Sequence, residues 1–327
     1  MNKIFWGIIG CGDVTEKKSG PAFNKVPNSE LVAVMRRNAA KAADYARRHQ
    51  VPRWYANAND LINDPEVNAI YIATPPSSHE EYTLAVLEAG KPVYVEKPMS
   101  INAKSAQIMS TAANSANLKI TVAHYRREQP LFKRIKSLLK EEVIGEVRTV
   151  EMTYLKSMPD KQALEKSGMK WRLNSAISGG GLFHDLAPHQ LDLMLYFFGD
   201  VRRANGLSAN QSGEYMADDA VTGQILFENK ILFTGQWNFT VGPGCETDIC
   251  KITGTKGNLT FPIFDHREIQ LLINGTSETI YFEPLEHVQQ PMIEKVVQYF
   301  LGESYNPGSG ENGVEVMRLL DAFTSAR

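Results

Sequence analysis

Residues 4–15 have the sequence Ile-Phe-Trp-Gly-Ile-Ile-Gly-Cys-Gly-Asp-Val-Thr, an apolar run that leads into a glycine-rich turn. A continuous apolar run is typical of a parallel strand that is buried on both faces. The turn has the spacing Gly10-x-Gly12-x-x-Thr15, a dinucleotide-binding fingerprint in which threonine replaces the third glycine. Gly10 and Gly12 would form the tight turn and admit a pyrophosphate to the N-terminus of the following helix. The stretch therefore predicts a domain that binds a dinucleotide.

Strands and helices alternate after this turn. Further apolar segments lie at residues 31–35, 53–55, 69–74, 92–95 and 119–123, with helical stretches between them. This alternation predicts an α/β domain that contains a doubly wound parallel sheet. Ligands of such sheets bind outside the carboxyl ends of the strands. Side chains that follow predicted strand ends are Arg36, Thr74, Lys97, His124, Tyr125 and Arg126.

The residues after the second strand, Arg36-Arg37, bear on the choice of cofactor. A protein that binds NAD usually has an acidic residue here, which accepts hydrogen bonds from the ribose 2′-hydroxyl. Two guanidinium groups instead suit the 2′-phosphate of NADP, which they can bind in forked geometry. The sequence thus favours NADP over NAD. The alternative is a solvated pair of arginines at the start of a loop.

Lys97 follows the strand at 92–95 and lies between Glu96 and Pro98. At the ligand edge of a sheet, a lysine can donate a hydrogen bond to a carbonyl or hydroxyl oxygen and stabilise charge that develops there. The alternative is a solvated surface charge, the usual state of lysine.

A second glycine-rich turn leads into a helix. Residues 179–192 have the sequence GGGLFHDLAPHQLD, and the apolar, helix-period pattern continues to Phe198. Asp185, His189 and Asp192 are spaced i, i+4 and i+7, so they share one helix face. A carboxylate near an imidazole suits proton transfer, and the three glycines would let a cofactor ring approach the backbone. The alternative is an amphipathic helix with a polar edge.

The second half of the chain differs from the first in its pattern. Alternating segments lie at 146–154, 201–209, 220–227, 231–239, 246–254, 257–263, 268–273 and 278–283, and two helices follow at 289–302 and 310–326. They predict an α+β domain with a large open, mostly antiparallel sheet covered by helices on one face. The open face would pair with another subunit in a homodimer or homotetramer. The predicted domains are residues 1–124 and 125–327.

Composition excludes several classes of partner. The net charge of −2 comes from charges of both signs mixed along the chain, so we expect no nucleic-acid binding. The apolar runs are too short to span a membrane, and three scattered cysteines predict neither disulfides nor a zinc cluster, which favours the reducing cytoplasm. A metal site from His184, Asp185 and His189 is not expected, because adjacent helix residues point about 100° apart.

The order of these motifs resembles the glucose–fructose oxidoreductase/inositol dehydrogenase (Gfo/Idh/MocA) family of NAD(P)-dependent oxidoreductases. The motifs are Gly10-x-Gly12, Glu96-Lys97-Pro98, Trp171-Arg172 and the segment 179–189, and segments 253–257 and 308–313 are similar to the family's C-terminal signatures. The resemblance covers essentially the whole chain. It implies a Rossmann domain followed by an open α/β domain, and oxidation of alcohols or reduction of ketones, mostly of sugars and cyclitols. Thr15 and Arg36 depart from the family's usual small and acidic residues.

The resemblance also implies roles for individual residues. His189 would be the general acid/base, Lys97 would polarise the reacting oxygen, and Asp185 would orient substrate or tune the pair. These three residues would contact substrate together with Tyr125, Arg126, Trp171 and Arg172. The residues expected to contact the cofactor are Gly10, Gly12, Asp13, Val14, Arg36, Arg37, Thr74, Pro75, His79, Glu96 and Lys97.

Two other functions remain open from the sequence. One is a glycosidase that oxidises its substrate transiently with a tightly held nicotinamide, as some relatives do. The other is a sensor that binds nicotinamide without turnover. The joint presence of Lys97, Asp185 and His189 counts against the sensor.

Overall fold

The computed structural model describes residues 2–158, 167–265 and 267–324. The chain divides into two compact units, which we describe separately. The first contains the chain up to Glu128 together with Leu285–Met317, and the second contains Gln129–Pro284 together with the chain from Arg318 onward. The chain thus returns to the first unit after the second, whereas the sequence predicted a single boundary at residue 124.

The sheet of the first unit has six parallel strands, as the sequence predicted, and their order is β3-β2-β1-β4-β5-β6. The strands are β1 Ile4–Ile9, β2 Ser29–Met35, β3 Arg53–Tyr55, β4 Ala69–Ile72, β5 Val93–Val95 and β6 Ile120–Val122. Because β1 lies between β2 and β4, the strand order reverses there. The carboxyl ends of β1 and β4 therefore form the topological switch point, where sheets of this kind bind ligands.

Helices lie between the strands along the chain, and two more follow the last strand. They are α1 Asp13–Lys17, α2 Ala39–Arg48, α3 Ala58–Ile62, α4 His79–Glu88, α5 Ala103–Ser115, α6 Pro130–Lys140, α7 Ser167–Leu173, α8 Ser175–Ser178, α9 Gly181–Phe198, α10 Gln290–Leu301 and α11 Gly310–Thr324. Helix α10 belongs to the first unit because Met292, Ile293 and Val296 are buried in the same core cluster as Ile4 and Trp6. Among the described residues, no helix is both long enough and apolar enough to cross a membrane.

The second unit contains an eight-stranded sheet in the order β14-β13-β12-β11-β7-β10-β9-β8. The strands are β7 Val147–Ser157, β8 Val201–Ala209, β9 Ala220–Phe227, β10 Leu232–Val241, β11 Thr247–Gly254, β12 Gly257–Phe261, β13 Glu268–Ile273 and β14 Thr276–Tyr281. Among the described strands of this sheet, only β7 and β10 pair in parallel, so the predicted mostly antiparallel sheet is confirmed. Along β10, Phe233 and Trp237 are buried while Leu232 and Gln236 are exposed, as expected for a sheet with one covered face.

Helix α9 is buried along most of its length and packs on the covered face of this sheet. The ring of Phe183 meets the ring of Trp237 edge to face, with centroids 5.1 Å apart. The indole Nε1 of Trp237 also donates a hydrogen bond of 2.6 Å to Oε1 of Gln190. These contacts fix the rotation of α9, and therefore the direction in which Asp185 and His189 project.

Candidate active site

The fingerprint turn joins the ends of three strands in the first unit. Gly10 has φ +94°, and a Cβ there would lie 2.7 Å from Cγ2 and 2.9 Å from the backbone N of Thr74. The carbonyl oxygen of Met35 accepts hydrogen bonds from the backbone N–H of Gly10 (2.9 Å) and of Cys11 (3.1 Å). Only glycine allows this close approach and positive φ, so Gly10 places the turn at the switch point between β1 and β4.

Gly12 and Thr15 have different functions in this turn. A Cβ on Gly12 would have only Gly10 O within 4 Å, at 3.8 Å, so no side-chain packing within the chain demands a glycine there. Thr15 is fully buried, and its hydroxyl donates a 2.8 Å hydrogen bond to the carbonyl oxygen of Gly12. Asp13 and Val14 form the first turn of α1 beside them. The surface over Gly12 is thus open to a group from outside, as a pyrophosphate requires.

Arg36 is anchored to the fingerprint turn. Its Nη1 donates a 3.2 Å hydrogen bond to Cys11 O, and its backbone N–H donates to Tyr55 O at 3.1 Å. Arg37 is exposed, and Asn38 caps α2 by accepting a hydrogen bond from the backbone N–H of Lys41. One of the two predicted phosphate-binding arginines is therefore held against the nucleotide-binding turn.

His79 joins the loop after β4 to the loop after β5. The ring is buried, with Nε2 2.7 Å from Thr74 O and Nδ1 3.1 Å from Pro98 O and 3.2 Å from Met99 O. Burial lowers the pKa of His79, although these carbonyl contacts favour the charged ring. Pro75, beside Thr74, is half-buried. His79 thus holds together the two loops that carry Thr74 and Lys97.

Glu96 lies in a buried hydrogen-bond network next to Lys97. Its Oε1 accepts hydrogen bonds from the hydroxyl of Tyr71 (2.5 Å) and from Nε2 of Gln289 (2.7 Å), and its Oε2 accepts one from the backbone N–H of Lys97 (3.1 Å). The Lys97–Pro98 peptide bond is cis, and Lys97 is half-buried. No sequence pattern pointed to Gln289, which is 193 positions from Glu96.

In the second unit, α7 and α9 bring three predicted site residues together. Nε of Arg172 donates a 2.9 Å hydrogen bond to Oδ2 of Asp185, and the two side chains form an ion pair. The guanidinium carbon of Arg172 also lies 4.6 Å from the ring centroid of Trp171. Both partners of the ion pair are mostly buried, which strengthens their attraction relative to a surface pair.

His189 lies one turn beyond Asp185 on α9 and is 5% exposed. Its ring meets the ring of Phe264 edge to face, with centroids 5.8 Å apart and an interplanar angle of 84°. No sequence motif pointed to Phe264, which follows β12. The carboxylate of Asp248 holds this segment by accepting a 2.6 Å hydrogen bond from the backbone N–H of Phe264 and one of 3.1 Å from that of Ile263.

Two of the three glycines at the start of α9 lie close to other side chains of the second unit. A Cβ on Gly180 would overlap the imidazole of His184, and a Cβ on Gly181, which has φ +73°, would lie 2.5 Å from Cβ of Ala217. Side chains of the second unit therefore occupy the positions that a Cβ on Gly180 or on Gly181 would take. Burial lowers the pKa of His184 to about 4, so this ring is neutral near pH 7.

The remaining predicted residues, Tyr125 and Arg126, lie in the 3₁₀ turn Tyr125–Glu128 of the first unit. Both are buried, and the guanidinium carbon of Arg126 lies 5.5 Å from the ring centroid of Tyr125. Within the described ranges, no group of three or more His, Cys, Asp or Glu side chains has an arrangement that could hold a metal ion.

Comparison with known proteins covers both units. The family model "Oxidoreductase family, NAD-binding Rossmann fold" matches residues 4–124, and the model "GFO/IDH/MocA C-terminal domain" matches residues 132–260. Oxidoreductase P35 of Formosa agariphila is 46% identical over 322 residues, 98% of both chains. Trans-1,2-dihydrobenzene-1,2-diol dehydrogenase of Sus scrofa is 29% identical over 77% of this chain and 72% of its own. A levoglucosan dehydrogenase solved with NADH and levoglucosan has the same fold, with a TM-score of 0.87 and 23% sequence identity. The match covers 98% of this chain and 96% of the dehydrogenase.

Proposed function

Because the chain belongs to the GFO/IDH/MocA family of NAD-binding oxidoreductases, we propose that it transfers a hydride between a nicotinamide cofactor and a sugar, cyclitol or related polyol or ketone. The two family models confirm the resemblance that the order of the motifs indicated. The substrate class is supported by relatives whose names state dehydrogenation of a dihydrodiol and of levoglucosan.

The first unit fits a dinucleotide. The open surface over Gly12 is where a pyrophosphate would lie, and the backbone N–H groups at the start of α1, near Asp13 and Val14, would bind it. Arg36, held at the same turn by Cys11 O, would bind a 2′-phosphate with Arg37. The cofactor that we propose is therefore NADP, with NAD as the alternative. Loop residues that would contact it after β4 and β5 are Thr74, Pro75, His79, Glu96 and Lys97.

When bound, the nicotinamide supplies or accepts the hydride. Oxidation of an alcohol also requires the hydroxyl proton to leave, and reduction of a ketone requires a proton to arrive. We assign this proton transfer to His189, because the ordinary pKa of histidine lies near neutrality. Lys97 would donate a hydrogen bond to the reacting oxygen and stabilise the charge that develops on it.

The main support for this assignment is the arrangement of the side chains of His189 and Asp185 on α9. His189 is almost buried and its ring orientation is constrained by Phe264, while Asp185, one turn earlier, is paired with Arg172. A proton-transfer group must be oriented by its surroundings to act at one atom of a substrate. Asp185, Arg172 and Trp171 would orient the substrate's hydroxyl groups, and Tyr125 and Arg126 would also contact it.

A panel of substrates tests the proposed function. The protein would be incubated with NADP⁺ or NADPH and with sugars, anhydrosugars, cyclitols and their ketones, and nicotinamide absorbance would be followed. We expect turnover that consumes added cofactor stoichiometrically. Glycoside cleavage without net cofactor consumption would identify the glycosidase instead, and tight NADPH binding without turnover of any substrate would identify the sensor. Either result would contradict the proposal.

We also propose assembly through the open face of the second unit's sheet. Leu232 and Ile249 are 56% and 41% exposed, and the strand register places them on the same face. Burying such side chains against a second copy is favourable. We therefore expect light scattering to show a homodimer or homotetramer at micromolar concentration, and a monomer would contradict this.

The three cysteines are unpaired thiols, in keeping with the reducing cytoplasm that we propose as the location.

A further inference from the structure

We propose that Gln289 is a positioning residue that holds Lys97 in place through the carboxylate of Glu96. The inference rests on the proposed role of Lys97 at the reacting oxygen. Gln289 is fully buried and immediately precedes α10, and its Nε2 donates a 2.7 Å hydrogen bond to Oε1 of Glu96. The other carboxylate oxygen of Glu96 accepts from the backbone N–H of Lys97 at 3.1 Å.

The carboxylate of Glu96 depends on its donors because it is only 6% exposed. A buried carboxylate that loses a hydrogen-bond donor either becomes protonated or turns towards another donor. Tyr71 and Gln289 both bind Oε1, which leaves Oε2 directed at the N–H of Lys97. Burial raises the pKa of Tyr71, so its hydroxyl stays protonated and remains a donor. Removal of either donor should therefore loosen the backbone from which the Lys97 side chain projects.

The orientation of the Gln289 amide is itself determined by its neighbours. The hydroxyl of Tyr94 lies 3.5 Å from Oε1 of Gln289, and the backbone N–H of Gln289 donates to Lys18 O at 3.3 Å. With a hydroxyl donor at Oε1 and the Glu96 carboxylate at Nε2, the amide has one favourable orientation. Gln289 thus connects the residue that follows α1 to the loop that carries Lys97.

The loop is also held on the side beyond Lys97. The ring of His79 contacts the carbonyl oxygens of Pro98 and Met99, the two residues after Lys97. Glu96 fixes the N–H of Lys97, and His79 fixes the peptides that follow it. The backbone is therefore supported on both sides of Lys97, and Gln289 is the remote residue on which one of these two supports depends.

The variant Gln289→Glu tests this role through the pH dependence of kcat. It preserves the shape of the side chain but places a second carboxylate against Glu96. While the introduced carboxyl group is protonated it can donate as the amide does, whereas two charged carboxylates at higher pH would repel each other. We expect the ratio of variant to wild-type kcat to be near one at the acid end and to fall roughly ten- to hundredfold at the alkaline end. KM for NADPH should change by a smaller factor than kcat.

Two further variants keep the proposal testable if Gln289→Glu folds poorly. Tyr71→Phe and Gln289→Leu each remove one donor to Oε1, and both should lower kcat by a larger factor than they weaken NADPH binding. The matched control is Ser29→Ala, which removes the 3.0 Å hydrogen bond from Trp6 Nε1. Ser29 is the first residue of β2, which two strands separate from β5, and it lies at the amino end of its strand whereas Lys97 follows the carboxyl end of β5, so this variant should lose stability and keep kcat.

The inference would be overturned if Gln289→Glu, Gln289→Leu and Tyr71→Phe all kept the wild-type kcat and pH profile. It would also be overturned if their losses of kcat were no greater than that of Ser29→Ala. The result for Lys97→Ala separates this failure from failure of the proposed function. If Lys97→Ala is inactive while Gln289→Glu behaves as wild type, only the role of Gln289 is wrong. If Lys97→Ala keeps its activity, the assignment of Lys97 is wrong as well.

Discussion

Both units contain a glycine-rich turn that leads into a helix, but the space beside the glycines is used in opposite ways. A Cβ on Gly12 in the first unit would approach only a backbone oxygen, at 3.8 Å. In the second unit, His184 occupies the space beside Gly180, and Ala217 occupies the space beside Gly181. A glycine-rich turn thus indicates that something approaches the backbone closely, and only the packing shows whether that is a ligand or the chain itself.

The proposed functional side chains are also supported differently in the two units. In the first unit they follow strand ends, and hydrogen bonds to loop backbone hold them, as between Arg36 and Cys11 or Glu96 and Lys97. In the second unit they project from a buried helix, and side-chain contacts orient them, as between Asp185 and Arg172 or His189 and Phe264. Substitutions at the fingerprint turn of the first unit should therefore act mainly on cofactor binding, whereas those at Lys97 and on α9 should act mainly on turnover or stability.

The largest expected effect is on turnover. His189→Ala should lower kcat about 10²–10⁴-fold, because the proton would lose its transfer group, while NADPH binding should stay nearly unchanged. Lys97→Ala should lower kcat similarly and could also weaken substrate binding. Steady-state kinetics and fluorescence titration with NADPH would measure both. The matched control is His184→Gln, a change at another buried histidine of α9, which should keep kcat. Full activity in a correctly folded His189→Ala, Lys97→Ala double variant would refute both roles.

The next effect concerns acid stability of the second unit. Burial holds the pKa of His184 at about 4, below the value near 6.5 of an exposed histidine. Between these pH values the unfolded chain binds a proton that the folded chain does not, so the free energy of unfolding should fall as the pH decreases through this window. Titration of His184 should lower the free energy of unfolding by about 3 kcal/mol in total by the time the pH has fallen to about 4.

Urea unfolding at a series of pH values would measure this dependence. His184→Gln should unfold with a shallower dependence on pH between about 6.5 and 4, because the titrating ring is gone. Equal slopes in the wild type and the variant would show that the ring beside Gly180 is not kept neutral by burial.

A pair of glycine substitutions compares the two turns directly. Gly181→Ala should reduce the free energy of unfolding by about 1–3 kcal/mol, because the new methyl group meets Ala217 at a residue with φ +73°. Gly12→Ala should leave stability within about 0.5 kcal/mol and weaken NADPH binding about tenfold or more. Ala217→Gly in the Gly181→Ala background should recover part of the lost stability. Equal stability losses at the two turns would remove the distinction between them.

The smallest expected effect is on cofactor choice. Arg36→Ala should lower the preference for NADPH over NADH by about 1.5 kcal/mol, through loss of a charge-assisted contact to the 2′-phosphate. Fluorescence titration with both nucleotides would measure the preference, with Arg47→Ala, on the surface of α2, as the control. Equal affinities for both nucleotides in the wild type, or no change in Arg36→Ala, would contradict NADP preference.

Much of the fold could be predicted from local patterns. Strand β1 has the predicted bounds, and the predicted strands 201–209, 220–227 and 268–273 coincide with β8, β9 and β13. The amphipathic helix α6 was missed, although Leu131, Ile135 and Leu138 are buried at helical spacing. The return of the chain to the first unit was also missed, because the apolar face of α10 does not reveal in sequence which sheet it covers.

Local sequence patterns predicted the order and type of most elements, the parallel sheet, and the positions of Arg36 and Lys97 at strand ends. These follow from hydrophobic period, turn residues and the geometry of parallel strands, which act over a few neighbouring residues. The contacts of Gln289 with Glu96 and of Phe264 with His189, and the position of His184 beside Gly180, are visible only in the folded structure. Such contacts join residues far apart in the chain, and they depend on how whole helices and strands pack, which no local pattern encodes.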